Sequence, residues 1–111
     1  MGNCGAIEPA PGFLELIQQK SAEYAIVFIL DEVKTGFRIA NGGAQEYYSL
    51  KPDLATYAKA LGNGYPVAAF GGRREIMSII GHGEAQGGTY NNNKPGVAAA
   101  YAVLKILKDQ P

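Results

Sequence analysis

The chain has a single cysteine, Cys4, no excess of charge of either sign and no apolar run long enough to cross a membrane. A lone cysteine excludes an internal disulfide and leads to the expectation of a reducing, cytoplasmic setting. Ten basic and ten acidic residues cancel, so composition supplies no general attraction to nucleic acid or to an anionic membrane. Nothing has the flanks of a signal peptide, and there is no internal repeat or low-complexity tract. Partners must therefore be sought in local groups of residues.

What is present is ordinary for a globular chain: 111 residues, 47% hydrophobic and 18% charged, enough for one domain with a modest core. Apolar runs alternate with helical or glycine-rich stretches, an α/β plan. After the turn residues Pro11-Gly12, Phe13, Leu14 and Ile17 lie within one turn and Tyr24 returns to the same side, which predicts a helix over residues 12–23. Residues 25–30, "AIVFIL", form a continuous apolar run of the kind found in a strand covered on both faces, as in a parallel sheet. The carboxyl end of such a strand is a place to look for ligands. Short strands are expected over 54–58 and over 67–70, the latter closed by Gly71-Gly72, then a short helix over 73–80 and a flexible "GHGEAQGG". A final helix opens near Pro95, where Val97, Ala100, Tyr101, Leu104 and Leu107 recur at helical spacing and require a buried face.

Three groups of residues can carry chemistry, and each has a plainer reading. Asp31 and Glu32 stand where the apolar run ends; acids there more often cap a turn or meet a nearby cation such as Lys34 or Arg38. Lys59 sits among apolar neighbours before Gly62-Asn63-Gly64, where desolvation can make an amine available for a Schiff base. Most such lysines extend into water instead. Gly87-Gly88 lets backbone approach a ligand closely and Thr89 adds a hydroxyl for a phosphate, although glycine-rich loops are common. Arg38 and Arg73 can contact acidic substrates, with a structural or solvated role preferred for each.

Taken together the three recur in a known order. The acid after the strand in "FILDEVKTGFR", the lysine 28 positions later in "KPDLATYAKALGNGYPVAAFGG" and the threonine 30 positions after that in "GGTYNNNKPGVAAAYAVL" resemble the class III pyridoxal-phosphate-dependent aminotransferases, a family that includes glutamate-1-semialdehyde aminomutase. The similarity begins at "PGFLELI" and runs over essentially the whole chain.

The resemblance implies the central part of the mixed, mostly parallel sheet in the large domain of a fold-type I transferase, incomplete, over residues 1–111. It implies pyridoxal 5′-phosphate as cofactor, an amine or amino acid and an oxo acid as substrates, and a transaminase or aminomutase reaction. Asp31 would hold the protonated ring nitrogen, Val33 would pack on the ring, and Lys59 would form the Schiff base and then move the substrate proton. Thr89 would reach the phosphate, in this family usually across a homodimer interface. No residue group is read as a metal site, Glu32 is given no direct chemistry, and Glu8 is not assigned to the site because "IEP" falls in the segment ahead of the first helix.

The family's upstream phosphate loop, its ring-stacking aromatic residue and its small C-terminal domain have no counterpart in these residues, so the chain alone is expected to be inactive and to expose sheet edges and an apolar face. Two other readings remain open at this point: a non-catalytic α/β interaction module derived from such an enzyme, and a small α/β domain in which Lys59 is merely a surface residue.

Overall fold

The computed structural model describes residues 3–82 and 87–110. Its first element is the helix α1 (Phe13–Glu23), entered through Gly12 at φ +80° and braced at the surface by a Lys20–Glu23 ion pair of 2.7 Å. The helix ends where Ala25 turns left-handed at φ +53°, with Ile26 N donating to Ser21 O at 2.8 Å and Ala25 N to Ala22 O at 3.3 Å. This pair of reversed bonds satisfies carbonyls that a helix end otherwise leaves open.

That closure corrects the expected strand. Residues 25 and 26 complete the helix cap, and β1 spans only Ile29–Asp31. Phe28 just before it is held from the side: its N–H donates to Asp53 Oδ2 and its carbonyl accepts from Asp53 N, each at 2.8 Å. β1 lies beside β2 (Leu54–Tyr57), and β2 beside β3 (Ala69–Gly72), in one three-stranded sheet. The first pair is parallel, with Asp31 opposite Thr56; the second is antiparallel, with Leu54 opposite Gly72 and Tyr57 opposite Ala69.

The third strand also starts later than its apolar residues suggest. Val67 N donates to Tyr65 O at 2.9 Å, which keeps Val67 in the turn after Pro66. Gly71 and Gly72 do not close β3 but belong to it, paired with Ala55 and Leu54, and a Cβ on Gly72 would stand 2.0 Å from Asp53 O. Glycine is what lets the two strands approach at that point. The short helix α3 that follows is confined to Arg74–Met77, less than the expected span.

Between β1 and β2 the chain forms α2 (Gly43–Tyr47), which the apolar pattern did not signal. The last helix, α4 (Lys94–Asp109), starts as the sequence predicts: Asn93 accepts the Gly96 N–H at 2.8 Å on its Oδ1, and Pro95 occupies the first turn, where its missing N–H costs no hydrogen bond.

Burial departs most from expectation. Among the described residues the core comprises Ala44, Leu50, Ala55 and Leu61 with one charged residue, Glu32. Ile26, Val27 and Ile29 keep 59%, 50% and 56% of their surface exposed, so the apolar run that leads into β1 is not covered on both faces. On α4, Val97, Tyr101 and Leu104 are exposed and Gly96 is the buried residue. α4 is held by its contact with the 3-10 turn Lys59–Leu61 and by Asn41 Nδ2 donating to Leu107 O at 3.2 Å. Among the described residues no second layer covers the rest of its apolar face.

Candidate functional site

Parallel pairing of β1 with β2 brings two of the anticipated residues to one edge. Asp31 is the last residue of β1, and Lys59 follows the end of β2 by one residue, Ala58. In the register, Asp31 faces Thr56, whose Oγ1 lies 3.5 Å from Asp31 Oδ1. Both candidates therefore stand at the carboxyl end of the parallel pair, the end at which α/β sheets bind ligands.

The state of the Asp31 carboxylate decides what it can do. Its Oδ1 accepts the Val33 N–H at 2.9 Å, a turn closed by the side chain two residues back. Among the described residues Oδ2 accepts no hydrogen bond, and the side chain is exposed. One oxygen fixes the direction of the group and the other is left to meet an N–H donor. Val33 itself is half-buried in this turn.

Lys59 has an unusual backbone for a residue with a side chain, φ +48°. The left-handed region costs a non-glycine residue roughly 1–2 kcal/mol, and here the surrounding turn imposes it. Gly62 N and Asn63 N both donate to Lys59 O, at 3.1 and 2.9 Å, and Gly62 lies so close to Tyr65 O that a Cβ would be 2.5 Å away. The side chain is exposed, and its Nζ makes no hydrogen bond or ion pair with the described residues. The turn fixes the backbone from which this amine projects, and the amine itself is left uncommitted.

Thr89 is exposed in the loop before α4. Asn93 ties that loop to the segment after Lys59, its Nδ2 donating to Pro66 O at 3.0 Å and to Tyr90 O at 2.9 Å. A cleft of about 500 Å³ opens there, lined by Pro66, Val67, Ala68, Val97 and the residues 90–93. The structure thus brings Asp31 and Lys59 to one edge and anchors the Thr89 loop to the Lys59 side. No hydrogen bond among the described residues joins Thr89 to either one.

Glu32 is where reading the sequence fell short. It pairs with neither Lys34 nor Arg38: Lys34 Nζ donates to Asn3 Oδ1, and Arg38 Nη1 donates to the Lys34 carbonyl at 2.7 Å. Glu32 is 0% exposed. Its Oε2 accepts from Ala44 N at 2.9 Å and from Thr35 Oγ1, and its Oε1 from Gln45 N at 2.9 Å. The pair Gly42-Gly43 is the only local hint of this. Gly43 sits at φ +73°, and a Cβ on it would lie 2.6 Å from the Glu32 carboxylate.

Arg73 takes the structural role. Its Nη1 meets Asp53 Oδ1 at 2.8 Å, and its Nε lies 3.5 Å from Glu75. Asp53 is held below the usual carboxylate range, first by the Phe28 N–H and then by Arg73, while Asp53 raises the Arg73 guanidinium. A cleft of about 400 Å³ adjoins this pair, but it opens at the other end of the sheet, away from Lys59. Desolvation pushes the Tyr48 phenol up, with Glu8 adding to the effect. No described helix is long and apolar enough to cross a membrane.

Against known proteins, the family model described as aminotransferase class-III matches residues 1–111. Glutamate-1-semialdehyde 2,1-aminomutase of Methanobrevibacter smithii is 49% identical over 112 residues, which is 99% of this chain and 26% of that protein. The protein of the same name from Myxococcus xanthus is 48% identical over 109 residues, 96% of this chain and 25% of its own length. The chain therefore spans about a quarter of the length of the relatives it matches. Among solved structures, an ornithine aminotransferase from Plasmodium yoelii superposes with a TM-score of 0.86 at 30% identity, over 99% of this chain and 30% of that one. An omega-transaminase from Sphaerobacter thermophilus gives 0.82 at 34% identity, over 91% and 24%. The small mixed sheet and its helices are an incomplete piece of the α/β fold those enzymes share.

Proposed function

This chain belongs to the class-III aminotransferase family, and on that premise we propose that its 111 residues are the central part of the cofactor-binding large domain of an enzyme that moves an amino group. The segment ahead of this part and the small C-terminal domain would lie outside these residues. The cofactor is pyridoxal 5′-phosphate, and the substrates are an amine or amino acid and an oxo acid, handled by a cytoplasmic homodimer. The names of the relatives favour the aminomutase branch. The chain by itself is expected to bind without turning over.

The observation that carries this reading is the Asp31 carboxylate, oriented by Val33 N and open at Oδ2, on the same sheet edge as the uncommitted Lys59 amine. When bound, the cofactor supplies an aldehyde carbon and an electron-withdrawing ring. Asp31 Oδ2 would accept the ring N–H and so keep its positive charge in place. Lys59 Nζ would hold the cofactor through a Schiff base to its aldehyde carbon and would serve as the general base and acid that moves the substrate proton. Val33 would pack on the ring from the turn beside Asp31. Thr89 Oγ1 would donate to the phosphate, and its place in a loop apart from Asp31 suits a contact with a neighbouring subunit's cofactor.

The test is borohydride reduction of the chain incubated with pyridoxal phosphate, followed by peptide mapping. Hydride adds to the imine carbon and a solvent proton to nitrogen, fixing the adduct where it formed. One dominant adduct on Lys59 is expected. Labelling spread evenly over the surface lysines would mean that segments outside these residues are needed for binding, and the same labelling pattern in the complete enzyme would contradict the assignment.

A further inference from the structure

We propose that Glu32 is a positioning residue for Asp31: its buried carboxylate ties the end of β1 to Thr35 and to the start of α2, and so keeps Asp31 turned outward with one oxygen open. The proposal rests on Asp31 as the ring-nitrogen partner, and it deepens that reading of the site.

Every polar group of Glu32 is committed. Its N–H donates to Thr56 O at 2.9 Å, extending the β1–β2 ladder one residue past Asp31, and its carbonyl accepts from Gly36 N at 2.8 Å. The carboxylate takes Ala44 N, Gln45 N and Thr35 Oγ1. Among the described residues no ion pair includes Glu32. A fully buried carboxylate without a countercharge persists only where hydrogen bonds replace its hydration, and losing any one of them is expensive. Glycine is required on both flanks, since a Cβ on Gly36 would meet Glu32 O at 2.8 Å and one on Gly43 would enter the carboxylate itself. The pocket is therefore built around this side chain.

Its consequence for Asp31 follows from strand geometry. Successive side chains point to opposite faces. With Glu32 locked inward, Asp31 must face outward, and the chain leaves β1 on the course that brings Val33 N to Asp31 Oδ1 at 2.9 Å. If Glu32 let go, residues 31–36 would lose the anchor that closes this turn, and the open Oδ2 would lose its direction.

The experiment is amide hydrogen exchange on the full chain, read at Val33 against Tyr24, whose N–H donates to Lys20 O at the end of α1, remote from Glu32. E32Q replaces one acceptor oxygen with a donor, so one of the α2 amides loses its partner. Exchange at Val33 is expected to accelerate at least about tenfold while Tyr24 changes little. T35V, which removes only the hydroxyl, gives a smaller acceleration at the same amide and keeps the test decisive if E32Q does not fold. In an Asp31→Ala background, where Val33 N has already lost its acceptor, E32Q or T35V should add nothing further, the signature of action through Asp31. Unchanged exchange at Val33, equal acceleration at Val33 and Tyr24, or full additivity with Asp31→Ala would each overturn the proposal. A second readout is the ring-nitrogen resonance of 15N-labelled pyridoxal phosphate on the loaded chain, which E32Q should move in the direction that D31N moves it. If the complete enzyme holds no cofactor at Lys59, the functional reading fails while the exchange result for Glu32 still stands or falls alone.

Discussion

Asp31 and Asp53 sit at opposite ends of the same short sheet, and each accepts a backbone N–H, Asp31 from Val33 in the turn that follows it and Asp53 from Phe28 ahead of the neighbouring strand. Asp53 spends both oxygens locally, Oδ2 on Phe28 N and Oδ1 on Arg73, and it closes the end of the sheet where β1 begins. Asp31 spends one, on Val33 N, and its other oxygen takes no bond among the described residues. The same residue type at the two ends thus does different work. A carboxylate whose acceptors are used up by its own chain is a fastener, whereas one that is oriented but half-committed keeps an acceptor for a donor from outside its own chain. Glu32, next to Asp31, belongs with Asp53 in this respect.

The comparison breaks most sharply if the edge bearing Asp31 proves dispensable. In the complete enzyme, Lys59→Ala should lower turnover at least about 10³-fold, since it removes both the nucleophile and the proton carrier; steady-state rates at saturating cofactor check this. Asp31→Asn should retain some cofactor yet slow proton removal by about 10²-fold or more, read from exchange of the substrate α-hydrogen, because the charge on the ring is no longer held. At the opposite end the effects should be on stability alone. Gly72→Ala forces a Cβ to within 2.0 Å of Asp53 O and should destabilise the fold by about 1–3 kcal/mol in a denaturant titration.

The smallest effect is one of pH. Asp53 titrates below its ordinary value near 3.8, so the unfolded chain binds its proton first as pH falls. Its contribution is complete above about pH 4 and is lost as pH drops through the lowered folded value. Asp53→Asn should flatten the acid limb of a melting-temperature profile and leave the neutral region's slope unchanged.

How much of this was legible beforehand varies with the cause of each feature. α1 and α4 were readable because side-chain periodicity and turn or cap residues agree with the backbone. β2 was readable within a residue. The start of β1 was not, because composition does not reveal that Ala25 adopts φ +53° to close a helix. Nor was the placement of Gly71-Gly72 inside β3, where Gly72 is required by how near Asp53 O passes. Asp31, Lys59 and Thr89 stood out only as a set whose order resembles a family; singly, each had a commoner explanation. Glu32 escaped because its partners, Ala44 and Gln45, lie on a helix that no hydrophobic pattern announces.

The central claim is that the carboxyl edge of β1 and β2 is built to hold a cofactor ring between Asp31 and Lys59. A crystal structure of the protein carrying pyridoxal phosphate tests it most directly. The account predicts continuous density from Lys59 Nζ to the cofactor and Asp31 Oδ2 within about 3 Å of the ring nitrogen. A cofactor joined to another lysine, or a ring nitrogen turned away from Asp31, would contradict it.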